Sequence, residues 1–205
     1  MQKHIRITIK SYDKTVDEYT DKVKDLHPYN ESKFFLYLLN RKSRILDLGC
    51  GSGRDSKIFS DNGHAVVGID LSGKMIKIAK KSVKNAKFKV MDIMKLNFKS
   101  NSFDGVWANA SLVHIRKIDI IKIVKKCHKI LKKNGIFYLS LKEGQGEFLI
   151  PDERYGNIKK FWSLFKREEM EKILKEGGFK IMKSYVKKTK DKYATHPWIS
   201  IFCGK

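Results

Sequence analysis

Residues 44–55 constrain the fold of this chain more than any other stretch. Apolar residues at strand spacing run into three glycines at alternate positions, Gly49, Gly51 and Gly53, and Lys57-Ile58-Phe59 then opens a helical pattern. A strand feeding a glycine turn that feeds a helix is the part of an open parallel α/β sheet where main chain meets ligand. Glycine suits such a turn because the backbone needs positive φ and a Cβ would block a molecule lying on it.

From this point the chain alternates strands and helices. Residues 44–48 read as a strand and 53–62 as a helix stopped by Asn62-Gly63. The apolar run 65–69, expected of a strand buried on both faces, ends in Asp70. Ser72 is placed to cap a helix carrying Met75, Ile76, Ala79 and Val83, and residues 87–90 form a third strand before Asp92. A fourth strand covers 103–108, a helix 118–131 ends at an Asn134-Gly135 stop, and a fifth strand covers 136–141. Residues 143–151 read as a loop, followed by a polar and aromatic stretch with Arg154, Tyr155, Phe161 and Trp162. A helix over 166–176 and strands over 179–187 and 198–203 complete the chain. Asp70 and Asp92 thus end strands on one edge of a parallel sheet, where such folds bind ligands. Asp70 follows the glycine turn at a spacing suited to accept hydrogen bonds from both hydroxyls of a ribose.

A dinucleotide site prefers Gly-x-Gly-x-x-Gly. The spacing here, Gly-x-Gly-x-Gly preceded by Asp47, resembles the first motif of the class I S-adenosylmethionine-dependent methyltransferases. The run from Phe103-Asp104 through Val106, Ala108, Asn109 and Leu112 to His114 is similar to their fourth-strand motif. The stretch around Leu131, Lys132 and Gly135 is similar to their last motif, with Asn134 where Pro or Gly is commoner. The resemblance spans residues 11–205 and is closest to the small-molecule enzymes of the ubiquinone-biosynthesis and tellurite-resistance type.

It implies a Rossmann-like α/β fold: a seven-stranded, mostly parallel sheet of order 3-2-1-4-5-7-6, its last strand antiparallel, with helices on both faces. It also implies S-adenosyl-L-methionine as cofactor and S-adenosyl-L-homocysteine as product. Gly49, Gly51 and Gly53 would let the methionine end approach the backbone, with Asp47 near its ammonium. Arg54 would meet a carboxylate, or else only pair with Asp55. Asp92 and Ile93 would take the adenine, and Leu71, Met75 and Asn109 would complete the site. A nicotinamide enzyme would share Asp70 but has no general need of Asp92.

Residues 1–43 read as an N-terminal helical extension or lid ahead of a domain over 44–205, the whole forming one compact unit. After an apolar alternation at Ile5, Ile7 and Ile9, Ser11 is placed to cap a helix with Tyr12, Val16 and Tyr19 on one face. A second apolar helix over 31–39 follows Pro28. The Tyr12–Tyr19 spacing is similar to the lid helix of small-molecule methyltransferases; the alternative is two tyrosines packing a helix onto the core. Tyr155 and Trp162 are the further candidates for the acceptor wall, or else edge packing.

The formal charge of +22 invites a nucleic-acid reading. Lysine, however, supplies 37 of the 44 basic residues and is spread over every segment, densest on helix faces such as 74–84 and 122–133. Solvated helix surfaces are the simpler account, and nucleic acid is the less favoured partner. No apolar run reaches the roughly 20 residues of a membrane span, and the first ten residues lack the apolar core of a secretory signal. Cys50, Cys127 and Cys203 form neither a zinc pattern nor a convincing disulfide set, so no metal and a reducing, cytoplasmic setting are expected.

The acceptor is narrowed by what is missing. Asn109-Ala110-Ser111-Leu112 is not the Asn/Asp-Pro-Pro-Tyr/Phe run of exocyclic-amine nucleic-acid methyltransferases, and no Pro-Cys supplies a thiolate for attack on cytosine. A small-molecule methyltransferase is therefore expected, with an RNA or protein methyltransferase second and a non-catalytic adenosylmethionine-binding protein third. His114, just past the fourth strand, is the candidate general base; the alternative is a histidine that braces its loop through a backbone carbonyl.

Overall fold

The computed structural model describes residues 2–188 and 196–205. In chain order the main elements are α1 (Lys3–Lys14), α2 (Val16–Val23), α3 (Tyr29–Tyr37), β1 (Arg44–Leu48), α4 (Arg54–Asp61), β2 (Ala65–Asp70), α5 (Gly73–Ser82) and β3 (Lys87–Val90). They continue with β4 (Phe103–Ala108), α6 (Lys117–Ile130), β5 (Leu131–Lys142), β6 (Gly146–Asp152), β7 (Ile158–Leu164), α7 (Arg167–Glu176), β8 (Lys180–Lys187) and β9 (Trp198–Gly204). Seven strands form one sheet in the order β3-β2-β1-β4-β5-β9-β8. β9 inserts between β5 and β8 and runs antiparallel to both, while β1 to β5 pair in parallel. Without the separate β6–β7 ribbon this is the expected 3-2-1-4-5-7-6 arrangement.

The central strands are mostly apolar because each face meets helices. One face carries Leu46, Leu48, Val106, Phe137 and Leu139, which pack with Ile123, Val124 and Cys127 of α6 and with Met170 and Leu174 of α7. The other carries Ile45, Val66, Trp107, Tyr138 and Phe202, which pack with Phe35 of α3 and Phe59 of α4. Trp107 and Tyr138 stack here with ring centroids 4.0 Å apart, a pairing worth about 0.5–1.5 kcal/mol beyond the area buried. α5 begins where expected, its Ser72 hydroxyl accepting from the Met75 N–H.

Three expectations are corrected. Ser11 does not start a helix: it lies fully buried inside α1, and Tyr12 and Tyr19 sit on two helices separated at Thr15. α1 buries Ile5, Thr8 and Ser11, a three-residue spacing in which two of three positions are polar, so the isoleucine alternation misled. Residues 143–151 and the aromatic stretch after them are not loop; β6 and β7 pair antiparallel from Gly146↔Leu164 to Asp152↔Ile158. Finally, α6 ends at Ile130, and Asn134 rather than Gly135 takes the left-handed backbone, at φ 62°.

Candidate active site

The turn after β1 is shaped by its glycines. Gly49 has φ 78°, and its N–H and that of Cys50 both donate to the Ile69 carbonyl at the end of β2. A Cβ on Gly49 would lie 2.3 Å from the Ser111 side chain, so the loop after β4 presses directly on the turn. At Gly51, φ 53°, an added Cβ would meet nothing within 4 Å, so the main chain faces open space. That space is a cavity of about 490 Å³, within the range of small-molecule sites.

Most of the residues expected around a cofactor line this one cavity. Asp47, Gly49, Gly51 and Arg54 come from the first turn, Asp70, Leu71 and Met75 from the end of β2 and α5, and Asp92, Ile93 and Asn109 from the loops after β3 and β4. Gly53 does not line it: it packs toward Ala79, Val83 and Phe88. The Asp70 carboxylate accepts from the Gly51 N–H at 3.0 Å and the Ser72 N–H at 2.8 Å, and burial raises its pKa against those two bonds. Asp92 accepts from the Met94 N–H at 2.8 Å as the cap of a short 3₁₀ turn and also faces the cavity.

A buried polar hub lies beneath the turn. Asp55 in the first turn of α4 accepts from Arg54 Nε at 2.7 Å, Trp107 Nε1 at 2.9 Å, Asn109 Nδ2 at 2.9 Å and His27 Nδ1 at 3.1 Å. Burial works to raise the Asp55 carboxyl, but the Arg54 charge and the bonds from His27, Arg54 and Trp107 hold it far below the usual range. Arg54 also donates to the Val23 carbonyl at 3.1 Å, tying α2 to the turn. Of the two roles expected for Arg54, pairing with Asp55 is therefore present. Asp47, which accepts from the Ser56 hydroxyl at 2.6 Å, is pushed up to about 7 by burial and by the neighbouring Asp55 charge.

The other end of the cavity is aromatic and cationic. Tyr12, Tyr19, His114 and Trp162 line it, whereas Tyr155 is buried behind, its ring 5.8 Å from that of Tyr19. His114 Nδ1 lies 2.6 Å from the Phe161 carbonyl, so that nitrogen carries the hydrogen, and Nε2 accepts from the Tyr12 hydroxyl at 2.9 Å. Burial drives the imidazole down to about 4. The nitrogen a general base would use is thus engaged by Tyr12, and the backbone bond is the one expected of a brace.

Sequence reasoning missed Lys142 and Lys160, which were lost among the other lysines. Those on α5 and α6 are mostly exposed, but these two are 5% and 1% exposed and line the cavity. Lys142 Nζ stands 3.6 Å over the Trp162 ring, and burial lowers it to about 8. Lys160 Nζ bonds Asp152 at 3.1 Å and sits 3.9 Å over Tyr155 and 4.5 Å over Tyr12. His27 and Asp55 were likewise outside the expected set, and only the position of Asp55 in the first helical turn hinted at its place.

The residues fit the cofactor that the fold implies. Beside Gly49 the Ser111 hydroxyl is buried with no hydrogen-bond partner among the described residues, the Gly51 main chain faces open space, and two strand-end carboxylates face inward. The comparisons agree. A methyltransferase domain model matches residues 46–139. A ubiquinone biosynthesis O-methyltransferase of Pelagibacter ubique is 29% identical over 64% of this chain and 62% of its own. The structure of a SAM-dependent methyltransferase from Methanosarcina mazei superposes with a TM-score of 0.77 at 25% identity, covering 88% of this chain and 98% of that one.

In fold, and over residues 46–139 in sequence, the chain is similar to the S-adenosylmethionine-dependent methyltransferases.

The chain spans about half the length of the curated relatives it matches. A Burkholderia thailandensis 1,6-didemethyltoxoflavin-N1-methyltransferase, crystallised with 1,6-didemethyltoxoflavin and S-adenosylhomocysteine, shares its fold at 23% identity with a TM-score of 0.75, over 96% of this chain and 84% of that one. Among the described residues, the chain has no helix long and apolar enough to cross a membrane and no cluster able to hold a metal.

Proposed function

We propose that the protein methylates a small-molecule acceptor inside the cavity. The observation that carries this reading is the continuity of one cavity from the glycine turn and Asp70 to Tyr12, His114, Trp162 and Lys142. S-adenosylmethionine supplies, when bound, a methyl on a sulfonium, open to in-line displacement by a nucleophile. The chain's own task is then to hold and orient, an effect that contributes about 7–11 kcal/mol when reacting groups are well aligned.

In this reading Asp70 holds the ribose, Asp92 and Ile93 the adenine, and Asp47 and the Gly51 main chain the methionine end, with Leu71 and Met75 beside them. Asn109, fixed by Asp55 and by the Ser140 hydroxyl donating at 2.7 Å, separates the two ends. Tyr12, steadied by His114, and Trp162 exclude water from the acceptor. Burial of the cationic groups Lys142 and Lys160 inside the cavity supports an internal acceptor over a macromolecule docked outside. The likeness to an O-methyltransferase of ubiquinone biosynthesis supports the same class. Free, buried cysteines suit a reducing cytoplasm.

Incubation with methyl-labelled donor and a cell extract, then separated into metabolites, RNA and protein, tests the reading. Label is expected in the metabolite fraction; label confined to RNA or protein would overturn it.

A further inference from the structure

Glu31, in the first turn of α3, is 3% exposed and lines the cavity far along the sheet from the glycine turn. Its Oε1 accepts from the Tyr185 hydroxyl at 2.9 Å and lies 3.4 Å from Lys187 Nζ. Its Oε2 is buried with no hydrogen-bond partner among the described residues. A buried carboxylate oxygen left without a donor is costly, so it calls for a partner.

The surroundings are continuous with the proposed reaction site. Ser140 on β5 stands directly opposite Ser200 on β9, and Ser200 stands directly opposite Tyr185 on β8. Directly opposed residues share a sheet face, so this row leads from the Asn109–Ser140 bond to Glu31. Ser140 and Ser200 line the cavity, and the Ser200 hydroxyl lies 3.3 Å from that of Tyr138. This wall is hydroxyl-rich and ends in a carboxylate, a poor match for a hydrocarbon chain. Trp198, two pairs further along and so on the same face, adds a flat aromatic surface.

The geometry points to Glu31 as the residue that selects the methyl acceptor, with Oε2 taking an N–H or O–H donor of a polar ring compound. This rests on the small-molecule methyltransferase reading above. Glu31 in the first turn of α3 also complements the helix dipole, and a purely bracing role would act through Oε1 and Tyr185. The two roles separate by mutation. Glu31→Gln keeps the shape and an oxygen for Tyr185 but can turn an amide N–H₂ toward the ligand, whereas Tyr185→Phe removes the brace and leaves Oε2 untouched.

The test uses the protein saturated with S-adenosylhomocysteine and two matched probe pairs: 2-aminobenzimidazole against 1,2-dimethylbenzimidazole, and catechol against 1,2-dimethoxybenzene. Dissociation constants come from ligand-observed NMR. Wild type is expected to bind the donor-bearing member of each pair at least about tenfold tighter, as a hydrogen bond to a charged group allows. Glu31→Gln should abolish that preference and Tyr185→Phe should keep it. Equal binding within both pairs, no binding of any probe, or a preference that survives Glu31→Gln would overturn the proposal. Calorimetry of S-adenosylhomocysteine on the wild-type protein, and the probe titrations repeated without it, report separately on the class reading: no cofactor binding would sink that reading, while the Glu31 comparison is still read from the cofactor-free titrations.

Discussion

The Tyr12 hydroxyl donates to Nε2 of His114 across 2.9 Å, joining α1 to the loop after β4 at the cavity wall. With Nδ1 held by the Phe161 carbonyl, the imidazole is neutral and oriented from both sides. If the pair positions the acceptor, His114→Ala and Tyr12→Phe should lower kcat/KM by similar factors, under about tenfold, and both should keep the acid limb of the pH–rate profile. A loss of about 10²–10⁴ in kcat confined to His114→Ala, together with loss of that limb, would make His114 the general base instead.

Asp70 should govern cofactor affinity. Asp70→Ala removes a carboxylate whose charge-assisted hydrogen bonds are each worth about 1.5–3 kcal/mol, so S-adenosylhomocysteine should bind at least about tenfold more weakly. Calorimetry on the folded variant measures this, and unchanged affinity would mean that the ribose lies elsewhere.

Asp47 should link cofactor binding to pH. Burial raises its carboxyl to about 7, so below that pH the ligand-free protein holds a proton there that an unfolded chain has released above about 4. The folded state binding more protons across that window, the Asp47 contribution to stability falls as pH rises through it. Asp47→Asn should therefore gain stability relative to wild type between pH 4 and pH 7, read from paired denaturant titrations. An ammonium placed beside the carboxyl favours the ionised form, so cofactor binding near pH 6 should release a proton. Calorimetry in two buffers of different ionisation enthalpy counts it, and no release would move the ammonium away from Asp47.

Asp55→Ala should be the most destabilising of these changes. It leaves Trp107 Nε1, Asn109 Nδ2 and the partly buried Arg54 guanidinium without their common acceptor, and breaking a buried charged pair from one side costs about 3–5 kcal/mol. Chemical denaturation checks the magnitude. Asp55→Asn, which keeps an oxygen, should lose less.

RNA binding, if measured, should be weak and fall steeply with salt, because the lysines of α5 and α6 lie mostly on solvated helix faces. A filter-binding titration between low and physiological salt decides it; nanomolar affinity for one RNA at physiological salt would promote an RNA acceptor.

The parallel half of the fold was legible because its strands are buried on both faces and stop at chemically marked positions: glycines after Leu48, Asp70 after Ile69, Asp92 shortly after Val90. The cover was not. α1 turns Thr8 and Ser11 inward, so its buried stripe is half polar, and β6 exposes Phe148, Leu149 and Ile150 in succession, which breaks any alternation. The same limit applied to the site. Asp47 and Asp70 lie at the positions their motifs define, while Lys142, Lys160 and Glu31 belong to no motif and acquire meaning only when distant segments meet.

Those meetings also dictate an order of assembly. The Phe161 N–H donates to Thr8 Oγ1 at 3.0 Å, and Lys160 sits over Tyr12, Tyr19 and Tyr155, rings from three separate segments. The contacts to Thr8, Tyr12 and Tyr19 join residues some 150 positions apart, a closure that a growing chain makes late. During synthesis α1 and α2 precede β7, so these particular contacts form only after β7 has left the ribosome. A segment translated early thereby completes its contacts only when a much later one arrives.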